Sequence, residues 1–164
     1  MLPENSKKVL DIGSGTGEFT QMIIDRLKDA EITGMDINLK YAALAEKYHY
    51  REVIADAGKP LPVADSSFDL VVASEIIEHL DDTDTFVQEI YRVLKPGGIW
   101  VCVTPNLASN PNIIALMLGR QHYTCQVNDM GDFGVLFPTS HPEWDGQKTK
   151  WRTHRRIFTA PSLK

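Results

Sequence analysis

Residues Val9-Leu10-Asp11-Ile12-Gly13-Ser14-Gly15-Thr16-Gly17-Glu18-Phe19 set an acid and three alternate glycines between a short apolar strand and a helix start. Glycines at 13, 15 and 17 remove the Cβ atoms from that turn, so the backbone can take positive φ and a ligand can lie directly against it. The spacing narrows the ligand. A dinucleotide fingerprint needs Gly-x-Gly-x-x-Gly, and its third glycine would fall at position 18, which is Glu18. A carboxylate there repels a pyrophosphate, whereas a cofactor without phosphates, carrying an amine and a ribose, suits the acids Asp11 and Glu18.

Further candidates sit where other strands should end. Glu31–Asp36 reads as a strand closing on Asp36, whose carboxylate can accept from both hydroxyls of a ribose. Val53–Ala57 reads as another, and Asp56 there can accept from the exocyclic amine of a purine. Phe68–Ala73 reads as a fourth, followed by Ser74 and Glu75. Beyond it, Glu75-Ile76-Ile77-Glu78-His79 is expected to place Glu75, Glu78 and His79 at helical positions i, i+3 and i+4 on one face. An imidazole titrates near neutrality, so His79 is the candidate general base. Two carboxylates and an imidazole can also hold a divalent cation.

In order and spacing, five motifs resemble the class I S-adenosylmethionine-dependent methyltransferases of the type 11 kind. They are Leu10–Gly17, Gly34-Met35-Asp36, Ala55-Asp56-Ala57, Phe68-Asp69-Leu70-Val71 and Leu94-Lys95-Pro96-Gly97-Gly98. The resemblance covers Val9 to about Asn106 and resumes at His154–Leu163. It implies S-adenosylmethionine as cofactor, with its demethylated form as product. Asp11 and the Gly13, Gly15, Gly17 turn would hold the methionine end, Asp36 with Ile37 the ribose side, and Asp56 with Ala57 the adenine; Ser74 completes the set. Glu75-Ile-Ile-Glu78-His79 and Thr104-Pro105-Asn106 are also similar to metal-dependent small-RNA 2'-O-methyltransferases, with His154 as a fourth ligand. However, His154 to Thr159 also resembles a feature of methyltransferases that use no metal. The expectation adopted is a small-molecule acceptor and no metal, with a metal-assisted RNA enzyme and a non-catalytic cofactor-binding fragment as alternatives.

The elements that must position these residues alternate, as a parallel sheet with helices on both faces requires. Expected are a strand over 8–12, a helix over 18–29 with Phe19, Met22, Ile23, Ile24 and Leu27 as its apolar side, and a strand over 31–36. A helix over 38–48 follows, capped by Asn38, with Leu39, Ala42, Ala43 and Ala45 as core. Gly58-Lys59-Pro60-Leu61-Pro62 must be a loop. After the strand ending at Ala73 come a short helix over 76–80, a longer one over 84–94 stopped by Pro96-Gly97-Gly98, and a strand over 99–104. Asn110 is the expected cap of a helix through Leu118, either a lid over the cofactor or plain packing. Residues 121–150 show no period and read as an insertion.

The fold class expected is therefore α/β, a Rossmann-like doubly wound parallel sheet of about five strands within one domain, residues 1–164. Its core is 7–106, its substrate insertion 107–150 and its C-terminal part 151–164. The family's final antiparallel strands have no counterpart. Either a longer protein or a second copy of the chain is expected to complete the sheet.

Composition fits a cytoplasmic enzyme domain. At 164 residues, 43% hydrophobic and 24% charged, the chain can bury an ordinary core. It contains no run of the ~20 apolar residues that a membrane helix requires. Cys102 and Cys125 form no Cys-x-x-Cys pair and read as thiols of a reducing compartment. A net charge of -5 argues against general nucleic-acid affinity. The basic run Lys148–Arg156, with Trp151 inside it, reads either as solvated surface or as an anion site.

Overall fold

The computed structural model describes residues 2–122, 154 and 156–163, without the side chains of 43, 44, 160 and 163. Cys125, most of the 121–150 insertion and all of the basic run except His154 and Arg156 lie outside the described residues, as does the expected core side chain of Ala43. Two compact units are present, Met1–Val103 and Thr104–Lys164.

The first unit is a five-stranded parallel sheet in the order β3-β2-β1-β4-β5, with β1 Lys8–Ile12, β2 Glu31–Asp36, β3 Arg51–Ile54, β4 Phe68–Ser74 and β5 Leu94–Val103. This is the doubly wound α/β arrangement expected. Because β1 pairs β2 on one side and β4 on the other, the chain reverses its winding at β1. A ligand-binding crevice opens at such a reversal, outside the carboxyl ends of the strands.

Alternation along β1 divides its side chains between two faces. Val9 joins Ile23, Leu27, Ile32, Ala45, Tyr50, Leu70 and Val72 in a buried cluster. Helix α1 (Glu18–Arg26) supplies Ile23 to it, and α2 (Leu39–Tyr48) supplies Ala45. Helix α3 (Thr83–Val93) buries Phe86, Ile90 and Val93, at i, i+4 and i+7, and Phe86 meets Trp100 of β5 edge to face at 6.1 Å.

Several element ends and faces differ from expectation. Helix α1 stops at Arg26, three residues short of Asp29, and its buried residues are Thr20 and Ile23, while Phe19 and Met22 are 39% and 66% exposed. Leu39 is also exposed; Asn38 caps that helix as expected, its side chain accepting from Lys40 N at 3.1 Å. Strand β3 ends at Ile54, so Asp56 lies in the loop that follows. Helix α3 starts at Thr83 with Asp82 as cap and passes straight into β5 at Leu94. Pro96-Gly97-Gly98 does not separate helix from strand. A register shift opposite Phe68–Leu70 absorbs it, with Gly97 at φ +81°.

In the second unit α4 spans Asn110–Met117, with Ser109 rather than Asn110 at the cap position and Pro111 in the first turn. Asn112 is buried and its side-chain amide donates to Asn106 O at 3.1 Å. Asn106 pairs in parallel with Phe158, a link not visible in the sequence. Ala160–Leu163 forms a 3₁₀ turn.

Candidate functional site

The turn between β1 and α1 adopts the conformation that its glycines permit. Gly13, Gly15 and Gly17 have φ of +80°, +51° and +79°, in the left-handed region open to glycine. Gly17 also occupies the cap position of α1 without a side-chain cap, leaving the helix start open to a ligand. A Cβ on Gly17 would come within 2.8 Å of the Tyr48 ring and 2.9 Å of the Tyr50 hydroxyl, so the turn packs directly against the end of α2.

Hydrogen bonds from β2 hold the turn from beneath. Gly13 N and Ser14 N both donate to Met35 O, at 2.7 and 3.1 Å, and Gly15 N donates to Asp36 Oδ2 at 3.1 Å. The other Asp36 oxygen accepts from Asn38 N at 2.8 Å. Asp36 therefore has a structural duty that its sequence position did not disclose. Each of its oxygens still offers a lone pair to a ligand.

Asp11 lies under the turn, 1% exposed, and its Oδ2 accepts from Thr20 Oγ1 at 2.6 Å. Burial pushes its carboxyl up to about 6 from an ordinary 3.8, and the Thr20 bond opposes that rise. Glu52 of β3 accepts from Ser14 Oγ at 2.8 Å. Its carboxyl is also raised, first by burial and then, against the Ser14 bond, by the charges of Asp36 and Asp11. Tyr50 is raised as well, by burial and by the Glu52 charge. The turn therefore rests on a negatively charged base, a setting that favours a cationic ligand over an anionic one.

The remaining predicted residues lie at the same carboxyl edge. Ile37 follows β2, 39% exposed. Asp56 accepts from Gly58 N at 2.9 Å and pairs with Lys59 Nζ at 3.6 Å, and Ala57 beside it is buried. Ser74 ends β4. Among the described residues, hydrogen bonds join Asp36 directly to the glycine turn and β3's Glu52 to Ser14.

The segment after β4 departs from expectation. Glu75 has a left-handed φ of +55°, with its N–H donating to Val103 O at 2.8 Å, and only Ile77–His79 form a helical turn, of the 3₁₀ kind. Glu75 is exposed, Glu78 is 1% exposed and His79 is half-buried, so the three do not share one helical face. A 3₁₀ turn has three residues per turn, and Glu75 lies outside it with a left-handed backbone, so the i, i+3, i+4 spacing of an α-helix does not apply. Glu75 and Glu78 instead combine with burial to push the Cys102 thiol up to about 11; burial is the larger effect. His154 belongs to the second unit.

Glu52, Tyr48 and Tyr50 are the residues that sequence reasoning missed. Their signal was Gly34, a glycine in the middle of a strand, which marks close approach by something else.

The sequence pattern of the methyltransferase domain family matches residues 10–102, from the strand before the glycine turn to the end of the sheet. The chain belongs to this family. Relatives include a demethylmenaquinone methyltransferase of Chlorobaculum parvum, 32% identical over 116 residues, covering 70% of this chain and 48% of that protein. A malonyl-[acyl-carrier protein] O-methyltransferase of Marinomonas is 37% identical over 126 residues, covering 73% of this chain and 46% of its own length. The chain thus spans about half the length of these curated relatives. The solved structure of an S-adenosylmethionine-dependent methyltransferase from Mesorhizobium loti is 27% identical with a TM-score of 0.58, covering 64% of this chain and 50% of that one.

Proposed function

We propose that the protein is an S-adenosylmethionine-dependent methyltransferase acting on a small-molecule acceptor. The observation that carries this reading is the meeting, at one sheet edge, of a turn with three left-handed glycines and a base of acids, the buried Asp11 and the half-buried Asp36 and Glu52. A sulfonium cofactor bearing an ammonium and a ribose fits that combination, and a pyrophosphate does not. Bound there, the cofactor supplies an electrophilic methyl group on sulfur. The names of the relatives, for menaquinone and acyl-carrier substrates, support a metabolic acceptor over a nucleic acid.

In this reading the Gly13–Gly17 turn and the open start of α1 receive the methionine end, with Asp11 contributing charge through the turn it supports. Asp36 and Ile37 take the ribose, Asp56 and Ala57 the adenine, and Ser74 the side of the site nearest β4. His79 takes the proton from an acceptor hydroxyl or amine as it attacks. Positioning of the acceptor accounts for much of the rate and the base for a further part. No metal is assigned.

The same reading places the protein in the cytoplasm, where a free Cys102 thiol persists. Among the described residues no helix is long and apolar enough to cross a membrane. Among the described residues β5 stands at an edge of the sheet, and the same reading gives that edge a partner.

Calorimetry with S-adenosylmethionine and S-adenosylhomocysteine tests the cofactor assignment; the expected result is binding of both, and binding of neither overturns it. A methyl-transfer screen over quinol, phenol, carboxylate and amine acceptors, run with magnesium and with a chelator, tests the rest. Transfer that persists with the chelator is expected. Transfer only to RNA, or only with magnesium, overturns the acceptor or the metal-free assignment respectively.

A further inference from the structure

Asp11, Gly34 and Glu52 are register partners across β1, β2 and β3, so they stand in one row on one face of the sheet. The middle member has no side chain. A Cβ on Gly34 would run into Glu52 Oε2, come within 2.5 Å of the Tyr50 ring and lie 3.1 Å from Ser14 Cβ. The space that Gly34 leaves empty is thus where a carboxylate from β3 passes over β2 to reach the glycine turn, and Ser14 Oγ donates to it at 2.8 Å.

Ser14 is the turn's fixed point. It is 5% exposed, its N–H donates to Met35 O, its carbonyl accepts from Gly17 N at 2.9 Å, and its hydroxyl is held by Glu52. Glycines flank it on both sides, and each has more backbone freedom to lose than any other residue. Without an external tie, a turn containing three such residues samples many conformations, of which a ligand selects one.

Resting on the function proposed above, we propose that Glu52 is a positioning residue: by holding Ser14 across Gly34, it keeps the Gly13–Gly17 turn in its cofactor-ready conformation. It does so from behind the turn. The second oxygen of Glu52 is buried on the side of Tyr50, so the hydrogen bond that joins Glu52 to the turn is the one from Ser14. A glutamine retains an acceptor for the Ser14 hydroxyl, and an alanine does not.

The test uses E52A, S14A, the double variant and E52Q in the whole chain, each first checked for a native circular dichroism spectrum. Two readouts are taken: the S-adenosylhomocysteine dissociation constant by calorimetry, and amide exchange of the 13–17 segment in the absence of ligand. Loss of a charge-assisted hydrogen bond predicts weakening of about tenfold in E52A and in S14A. It also predicts faster exchange at 13–17 than at β1 or β4. The double variant should be no weaker than the weaker single variant, and E52Q should recover most of the affinity lost in E52A. Additive losses, or unchanged exchange and affinity in folded E52A and S14A, would overturn the inference. If the wild-type chain binds neither cofactor form, the proposed function fails, and unchanged exchange at 13–17 would then separately exclude the tie.

Discussion

Thr20 donates its hydroxyl to Asp11 at 2.6 Å, linking the first turn of α1 to the strand that carries the glycine turn. The bond lies inside the fold, because Thr20 is 0% and Asp11 1% exposed. One hydroxyl does not replace the water that an ionised carboxylate loses on burial, and the carboxyl therefore rises to about 6. The folded chain thus holds the Asp11 proton more tightly than the unfolded chain does. The sign follows. Stability falls as pH rises from about 4 to about 6, and the whole penalty, about 3 kcal/mol, is present at pH 7. Asp11→Asn keeps an acceptor for Thr20, and is expected to stabilise the chain by about 1–3 kcal/mol at pH 7 and flatten that part of the pH profile. Because it removes a negative charge beneath the turn, it should also weaken S-adenosylmethionine binding. Urea titrations from pH 4 to 8, with calorimetry at pH 7, measure both; a variant less stable at pH 7 with an unchanged slope would refute the account.

Gly34 and Gly97 predict two different costs for the same substitution. Gly34→Ala puts a methyl group against the Tyr50 ring, Ser14 Cβ and Glu52, and is expected to cost about 1–3 kcal/mol by overpacking. Cofactor affinity should fall with it. At Gly97 a Cβ meets nothing within 4 Å, but φ is +81°. Gly97→Ala should therefore cost about 1–2 kcal/mol through backbone strain alone and leave cofactor binding unchanged. Equilibrium denaturation and calorimetry on the two variants distinguish steric conflict near the site from strain remote from it.

What the sequence made legible was the chemistry carried by local pattern. Alternate glycines, the acid before them and the acids at strand ends can each be read within a few residues; Gly13 and Asp36 lie where that reading put them, while Asp56 lies past the end of β3. Cross-strand relations were not legible, because Glu52 meets Ser14 only once β3 has paired with β2 in one particular register. Faces failed where a single backbone angle decided them. Nothing in the residue type of Glu75 announces a φ of +55°, and that angle keeps it out of the helical turn that holds Glu78 and His79. Pro96-Gly97-Gly98 misled for a related reason: a helix breaker in isolation, it becomes an irregular strand start once β4 is beside it.

Arg92 staples the crossover between β3 and β4 to α3. Its guanidinium donates to Leu61 O and Val63 O, each at 2.9 Å, and to carboxylate oxygens of Asp65 and Glu89 at 2.6–2.9 Å, while Glu89 also accepts from Leu61 N at 2.6 Å. A lysine ammonium cannot reproduce this planar fork. Arg92→Lys is expected to cost about 1–2 kcal/mol, and Arg92→Ala about 2–3 kcal/mol. Thermolysin cleavage within 60–66 should accelerate in both variants before global unfolding. Unchanged cleavage alongside lower stability would show that Arg92 acts through packing with α3 and not by holding the loop.

Glu75 joins backbone strain to an exposed carboxylate at the carboxyl end of β4. A left-handed non-glycine residue costs on the order of 1 kcal/mol and persists where its surroundings over-determine it, often at a functional site. Its N–H bond to Val103 O, from the adjacent strand, is one such constraint. Glu75→Gly should relieve the strain, raising stability by roughly 0.5–1 kcal/mol. If the angle serves to present the side chain toward the acceptor, the same variant should lose methyl-transfer rate while keeping its S-adenosylmethionine affinity. His79→Ala is expected to lower turnover about 10²-fold, again at unchanged cofactor affinity, and most strongly for acceptors that must lose a proton. Denaturation, calorimetry and steady-state rates on the two variants therefore separate three roles for this segment. Loss of affinity in either would move that residue to the cofactor side of the site, and full activity in both would leave the base elsewhere in the chain.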